Sequence, residues 1–377
     1  MKTMHYLLQL AGAIFLVSNL AGCGDLNAPG DGGMKLLWKK ELPHSASDPI
    51  ALDDDRIYFG DNGRTFYMFR TDGALLKTFD MGNGAAFGVP QIDEELVAIG
   101  TTQAGTGGHR VAHLHVLNKI TLEPLWEELF AWQVNVAMDE NRVYATTDGW
   151  AFAFDKSNGR QIWQRETFGR NVFNPALDGD RIYFATGAKH RRDGYLYCLE
   201  KSTGNLVFQD TLQYIKSQGQ FGGSLSGVTV WKDFVYVPGD NRFLYCFNKH
   251  DGSLVWRFLA DSPMETPARI SDGIVYTGSL NRTAYAINAL TGELVWSFMN
   301  AASLRNNPPQ FYKDYVLFNS TGGLYIFEKH TGERIINMSN GNGPFGFFST
   351  AWAADGKIYA TGYENLSQKD YLFACQF

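Results

Sequence analysis

Charged side chains are scarce in this 377-residue sequence, at 19%, and no basic run stands out among them. With 33 Lys and Arg against 39 Asp and Glu, the net charge is −6. Such a chain lacks the electrostatic footprint that a phosphate backbone requires, which excludes nucleic acid as a partner. Cysteine is scarcer still. Cys23, Cys198, Cys246 and Cys375 are the four present, with no adjacent pair and no C-x-x-C spacing. That excludes a disulfide framework and a C-x-x-C redox or zinc motif. Cys198, Cys246 and Cys375 each lie in an apolar, strand-like run and read as buried thiols, with a Cys198–Cys246 bridge as the alternative. No G-x-S-x-G element is present to build a nucleophile elbow. Gly105-x-Gly107-Gly108 precedes a strand and no helix, so no phosphate cradle follows. Asp53-Asp54-Asp55 reads as a solvated turn. His113-x-His115 sets two imidazoles on one strand face, the beginning of a metal site. No third ligand is evident near them, and an ordinary strand surface is the expectation.

Long apolar runs are also missing, except at the start. Lys2 precedes a run from Leu7 to Leu20 that is short for a membrane span and ends in Leu20-Ala21-Gly22-Cys23. A cation, a short apolar core and small residues before a cut site make a secretory signal. Leu-Ala-Gly-Cys resembles the lipobox of bacterial lipoproteins. The resemblance implies a signal peptide over residues 1–22, cleavage after Gly22 and lipidation of Cys23. Residues 23–33, nearly free of apolar side chains, then read as the lipidated cysteine and a flexible tether. Acyl chains alone would hold the protein to a membrane. The expected location is the bacterial cell envelope, on the outer membrane facing the periplasm.

What the sequence has in quantity is glycine and aromatics: 40 Gly, 27 Phe, 18 Tyr and 9 Trp. These suit short strands joined by tight turns. A short strand recurs eight times at about 40-residue spacing. Its copies are Ile57-Tyr58, Val97-Ala98, Val143-Tyr144, Ile182-Tyr183, Val235-Tyr236, Val275-Tyr276, Val316-Leu317 and Ile358-Tyr359. In the clearest unit, strands are expected over 266–270, 274–279, 283–288 and 294–299, separated by turn residues such as Ser271-Asp272-Gly273. A four-stranded meander repeated at this period predicts an all-β, eight-bladed β-propeller over residues 34–377. The last copy supplies only three strands. Residues 34–42, carrying Trp38, match the missing outer strand, so the N-terminal strand is expected to close the ring and remove the open edges.

A finer pattern runs through the second half of each unit. Ala286-x-Asn288-x-x-Thr291-Gly292-x-x-x-Trp296 recurs around Ala153, Asp155, Gly159 and Trp163. Looser copies end in Trp126, Phe208, Trp256 and Ile336. Leu122 stands where the copy ending in Trp126 should have Gly, and the copy with Asp72-Gly73 is one residue short. The Gly supplies a left-handed turn, the Asp or Asn caps it, and the Trp is large enough to fill the wedge between blades. Trp38, Trp126, Trp163, Trp256 and Trp296 are the expected docking residues. The pattern resembles the tryptophan-docking repeat of pyrroloquinoline-quinone-type (PQQ-like) propellers, over nearly the whole chain after the leader. With a lipobox, a tether and eight blades, it resembles in particular the BamB family, lipoproteins of outer-membrane β-barrel assembly.

That resemblance implies a non-catalytic scaffold with an envelope protein as partner, no cofactor and no metal. A generic protein- or glycan-binding propeller is the alternative. A PQQ-dependent dehydrogenase is a third reading, weakened because the adjacent cysteines those enzymes set against the quinone have no counterpart here. In a meander propeller the loops between second and third strands share one rim with the connections between blades. Here that rim collects the longest insertions, aromatics such as Trp132, Phe168, Phe173, Phe345 and Phe347, and the cations Arg170 and Arg305. Arg64, Arg242 and Arg282 fall at equivalent hairpin positions on it. Aromatics with Arg are the usual anchors of interfaces, so these residues are the candidate partner site. The opposite rim has short turns, and its Lys156 and Lys249 read as solvated cations whose reversal should do little.

Overall fold

The computed structural model describes residues 35–376 apart from 47–48, 83, 103–110, 172, 188–192, 214–221, 300–303, 305–306, 321–322, 340–344, 348–351 and 365–366. Eight antiparallel sheets follow one another along the chain; seven are meanders of four neighbouring strands, and the eighth carries a fifth. They are the eight blades, and they are all-β throughout. Blade 6 shows the unit: Arg269–Ser271, Ile274–Gly278, Thr283–Asn288 and Leu294–Met299, from the channel outwards. Its first strand starts later than the sequence pattern suggests. Pro267 has no N–H to offer the ladder, so pairing begins only at Arg269, opposite Tyr276. Proline recurs at this place as Pro49, Pro90, Pro175 and Pro308, and these five line the central channel. There they deny donors to the exposed inner edge.

The eighth blade closes the ring. Lys35–Leu42 pairs with Lys369–Gln376, and Trp38 lies opposite Ala374. The extra strand Phe345–Phe347 joins the same sheet through Lys357–Glu364.

Each repeat position now has a physical role. The Tyr of the second strand, the small residue of the third and the Trp of the fourth are cross-strand partners on one face: Tyr276↔Ala286↔Trp296, and likewise Tyr236↔Cys246↔Trp256. The small residue makes room for two large rings. The Trp then crosses to the next blade and covers its turn glycine. A Cβ on Gly159, Gly204, Gly292 or Gly332 would stand 2.7 Å from the ring of Trp126, Trp163, Trp256 or Trp296 respectively. Trp38 covers Gly73 in the same way, across the closure.

Leu122 is the informative exception. The preceding blade has Lys77, not Trp, at the docking position opposite Met68. Leu122 fills the vacated space, 3% exposed, in a cluster with Met68 and Leu117. The two departures from the pattern are therefore one compensating pair. Cys198, Cys246 and Cys375 are free and buried, as expected, and no bridge joins them.

Candidate functional site

The hairpins between second and third strands and the connections between blades form one rim, as the meander requires. Arg64, Arg242 and Arg282 end three of these hairpins with φ of 78°, 75° and 72°. In blade 5, Gly239 N–H donates to Phe243 O at 2.8 Å and Arg242 N–H to Gly239 O at 3.1 Å. Blade 6 repeats this through Ser279, Thr283 and Arg282. This is a three-residue loop closed by a left-handed residue, a place where Gly sits without strain. An L-residue there costs about 1 kcal/mol, a cost also borne at turns of the opposite rim such as Asp54, Lys232 and Lys313.

Their surroundings differ. The Arg64 and Arg282 side chains are exposed and have no salt-bridge partner among the described residues. Arg242 is half-buried, and its Nε and Nη2 both donate to Ala260 O at 3.1 Å. Its guanidinium therefore also fastens the hairpin to the following connection.

The aromatic candidates occupy another sector of the rim. Trp132 follows blade 2 and is 48% exposed; Phe168 follows blade 3 and is 65% exposed. Arg170 is exposed, and its backbone exchanges two hydrogen bonds with Gly187 of blade 4. Trp150, 38% exposed at the start of a third strand, joins this sector; in the sequence it looks like any strand aromatic. Phe173, grouped with the rim by its place in a connection, instead lines the channel. Phe345 and Phe347 belong to the extra strand of blade 8, while Arg305 and Cys23 lie outside the described residues. The candidates thus share one rim but not one patch. Arg242 and Arg282 are on adjacent blades, Arg64 is on blade 1, and Trp132, Trp150, Phe168 and Arg170 gather around blade 3.

Asp240, one residue from that hairpin's tip, is 8% exposed. Burial pushes its carboxyl up to about 8, and the neighbouring charge of Glu265 adds to the effect.

The opposite rim corrects the reading of its lysines. Lys156 pairs with Asp93 at 2.5 Å and Lys249 with Asp178 at 2.9 Å, each across a blade boundary. Lys119–Asp53, Lys201–Asp139 and Lys329–Asp272 repeat the bridge at 2.7–2.9 Å. Asp53 is therefore an inter-blade partner and not merely part of a solvated turn. These cations are structural, and reversing them would place two negative charges together at a blade boundary.

The central channel holds a cavity of about 400 Å³ lined by Asn174, Gln91, Gln310 and Arg269 among others. Arg269 donates to Gln310 Oε1 at 3.3 Å, and desolvation lowers its pKa. These residues do not fit the quinone that the fold brings to mind. Among the described residues one half-buried cation faces the cavity, and the sequence has no cysteine pair to stack on a ring. Burial raises Cys198 to about 11 and Cys246 to about 12, so neither thiol is poised to react. Among the described residues one group of three metal-ligating side chains comes together, His113, His115 and Glu127, and it lies far from the channel on blade 2.

Fold and repeat together define a PQQ-like repeat propeller. The family model of the outer membrane protein assembly factor BamB matches residues 114–213 and 192–368. The chain belongs to that family. Among solved structures it is similar to BamB from Moraxella catarrhalis, with 16% identity, a TM-score of 0.70, and coverage of 91% of this chain and 100% of that one. Quinohemoprotein alcohol dehydrogenase from Comamonas testosteroni gives a TM-score of 0.73 at 10% identity, over 91% of this chain and 76% of the enzyme. Likeness at such identity speaks for the fold alone. Tetrathionate hydrolase from Acidithiobacillus ferrooxidans is 28% identical over 109 residues, which is 28% of this chain and 19% of the hydrolase. The chain thus matches about a fifth of that enzyme's length.

Proposed function

We propose that this protein is a lipid-anchored, non-catalytic scaffold that serves the assembly of outer-membrane proteins by docking an envelope partner on its built-up rim. One observation carries the reading. The chain belongs to the BamB family, and on its rim three arginines hold strained left-handed positions that Gly would fill without strain. The arginines and exposed aromatics are of the kind that anchors interfaces. The opposite face is occupied by inter-blade ion pairs and short turns. Cys23, in its lipobox setting, holds the scaffold to the outer membrane, and residues 23–33 give it reach. Affinity purification from solubilised membranes tests this. Barrel-assembly components in the eluate support it; a substrate-uptake protein or a polysaccharide in their place would favour a different binding role.

A further inference from the structure

We propose that His113, His115 and Glu127 form a site for one divalent transition-metal ion, preferentially Zn²⁺, on the outer half of blade 2. His113 and His115 stand two residues apart in the strand Ala112–Asn118 and so share a face. Their rings stack with centroids 5.2 Å apart and planes at 6°. The third ligand comes from the neighbouring strand Pro124–Phe130, whose register sets Glu127 directly opposite His115. Glu127 Oε2 lies 3.4 Å from His115 Nδ1 and 3.8 Å from His113 Nδ1, and the three ligand atoms all fall within 4.8 Å of one another. Tetrahedral ligands at zinc distances stand about 3.4 Å apart, so the group needs only to tighten slightly around an ion.

A second observation points to a ligand. His115 is 3% exposed, and the Nδ1 atoms of both His113 and His115 are buried without a hydrogen-bond partner. Buried polar atoms are nearly always satisfied, so two orphans aimed at one carboxylate call for a common partner.

The setting suits an open centre. Phe79 of blade 1 closes edge-on over His115 at 5.2 Å and limits its movement. A cleft of about 570 Å³, lined by Phe79 together with Asp80, Met81 and Trp126, reaches the three side chains from solvent. Two imidazole nitrogens and one carboxylate oxygen favour zinc over calcium or magnesium, which prefer all-oxygen shells. Three protein ligands leave a fourth position for water, facing the cleft.

The test is metal titration of the full chain, purified without a polyhistidine tag and stripped with chelator. Zn²⁺ is titrated against a chromogenic chelator, and Co²⁺ serves as a spectroscopic probe of geometry. One equivalent of Zn²⁺ should bind, and Co²⁺ should give the intense visible bands of a tetrahedral site. Glu127→Gln, at a side chain 58% exposed and so harmless to folding, and His113→Asn should each weaken binding at least about tenfold. His250→Asn, at an exposed histidine beside Asp233, should change nothing. Absence of stoichiometric binding, or unchanged affinity in either ligand variant, overturns the proposal.

Discussion

Tyr276 Oη and Trp296 Nε1 donate to a single acceptor, the carbonyl oxygen of Lys329 in the next blade, at 3.1 and 2.7 Å. Tyr236 and Trp256 do the same at Ala289 O, at 3.0 and 3.1 Å. The acceptor lies in a turn whose glycine leaves the indole space to lie flat. One carbonyl, one glycine and two rings thus fasten each of these blade boundaries, and in blade 7 the Lys329 side chain adds an ion pair to Asp272 behind.

Crowding and backbone strain at the turn glycines can be separated. Gly292 and Gly273 both have φ of +75°, yet a Cβ would meet Trp256 at 2.7 Å at the first and nothing within 4 Å at the second. Gly273→Ala should cost about 1 kcal/mol, the price of strain alone. Gly292→Ala should cost about 2 kcal/mol more, because the Trp must leave its seat. Denaturant unfolding measures both; equal losses would show that docking contributes nothing.

The ion-pair ladder predicts acid sensitivity. Burial would raise the carboxyl of Asp139, but the hydrogen bond and charge of Lys201, with hydrogen bonds from the Asn141 N–H and the Tyr144 hydroxyl, together outweigh it and the pKa is lowered. A folded pKa below the unfolded one stabilises above the unfolded value, near 4, and that contribution is lost as pH falls through the folded value. Lys201→Met should therefore cost about 1 kcal/mol at pH 7 and make the decline between pH 5 and 3 shallower. Unfolding free energies across that range check it, and parallel curves for the two proteins would contradict it.

Asp240 acts in the opposite sense. Its folded pKa, about 8, lies above the unfolded one, so its proton is retained on folding. Its contribution is complete below pH 4 and is lost as pH rises towards 8. Asp240→Asn should leave stability at pH 5 nearly unchanged and raise it at pH 8.5, flattening the alkaline decline in melting temperature. Equal effects at the two pH values would contradict the assignment.

Cys23→Ser should abolish incorporation of labelled palmitate and leave an uncleaved or soluble chain. Label persisting in the variant would remove the anchor from the account.

The repeat was legible in the sequence because it is written within one 40-residue unit, and the ring closure at Trp38 and the docking role of the tryptophans followed from comparing each copy with the full unit. What was not legible is which individual residues of different units or strands meet, because that depends on register. Lys77 and Leu122 look like two unrelated lapses until blade 1 is laid against blade 2. Lys156 and Lys249 look like surface cations because Asp93 and Asp178 are 63 and 71 residues away along the chain. Glu127 became the third partner of His113 and His115 only through the hairpin register that sets it opposite His115. On the rim, the sequence placed Arg64, Arg242 and Arg282 together but could not show their left-handed backbone, nor that Arg242 is bound to Ala260 O.

The rim arginines provide the most direct test of the scaffold claim. Arg64→Gly with Arg282→Gly relieves two left-handed positions, so stability should hold or rise by about 1 kcal/mol per site while docking anchors are lost. The measurement is partner recovery by affinity purification from solubilised membranes, with melting temperature recorded alongside. A control variant, Arg160→Glu with Lys232→Glu, alters exposed cations on the opposite rim that take no part in the ion-pair ladder. Loss of barrel-assembly components from the Arg64/Arg282 eluate, with the control eluate unchanged and both proteins folded, is the expected result. Full recovery with the arginines gone, or loss only in the control, would contradict the account.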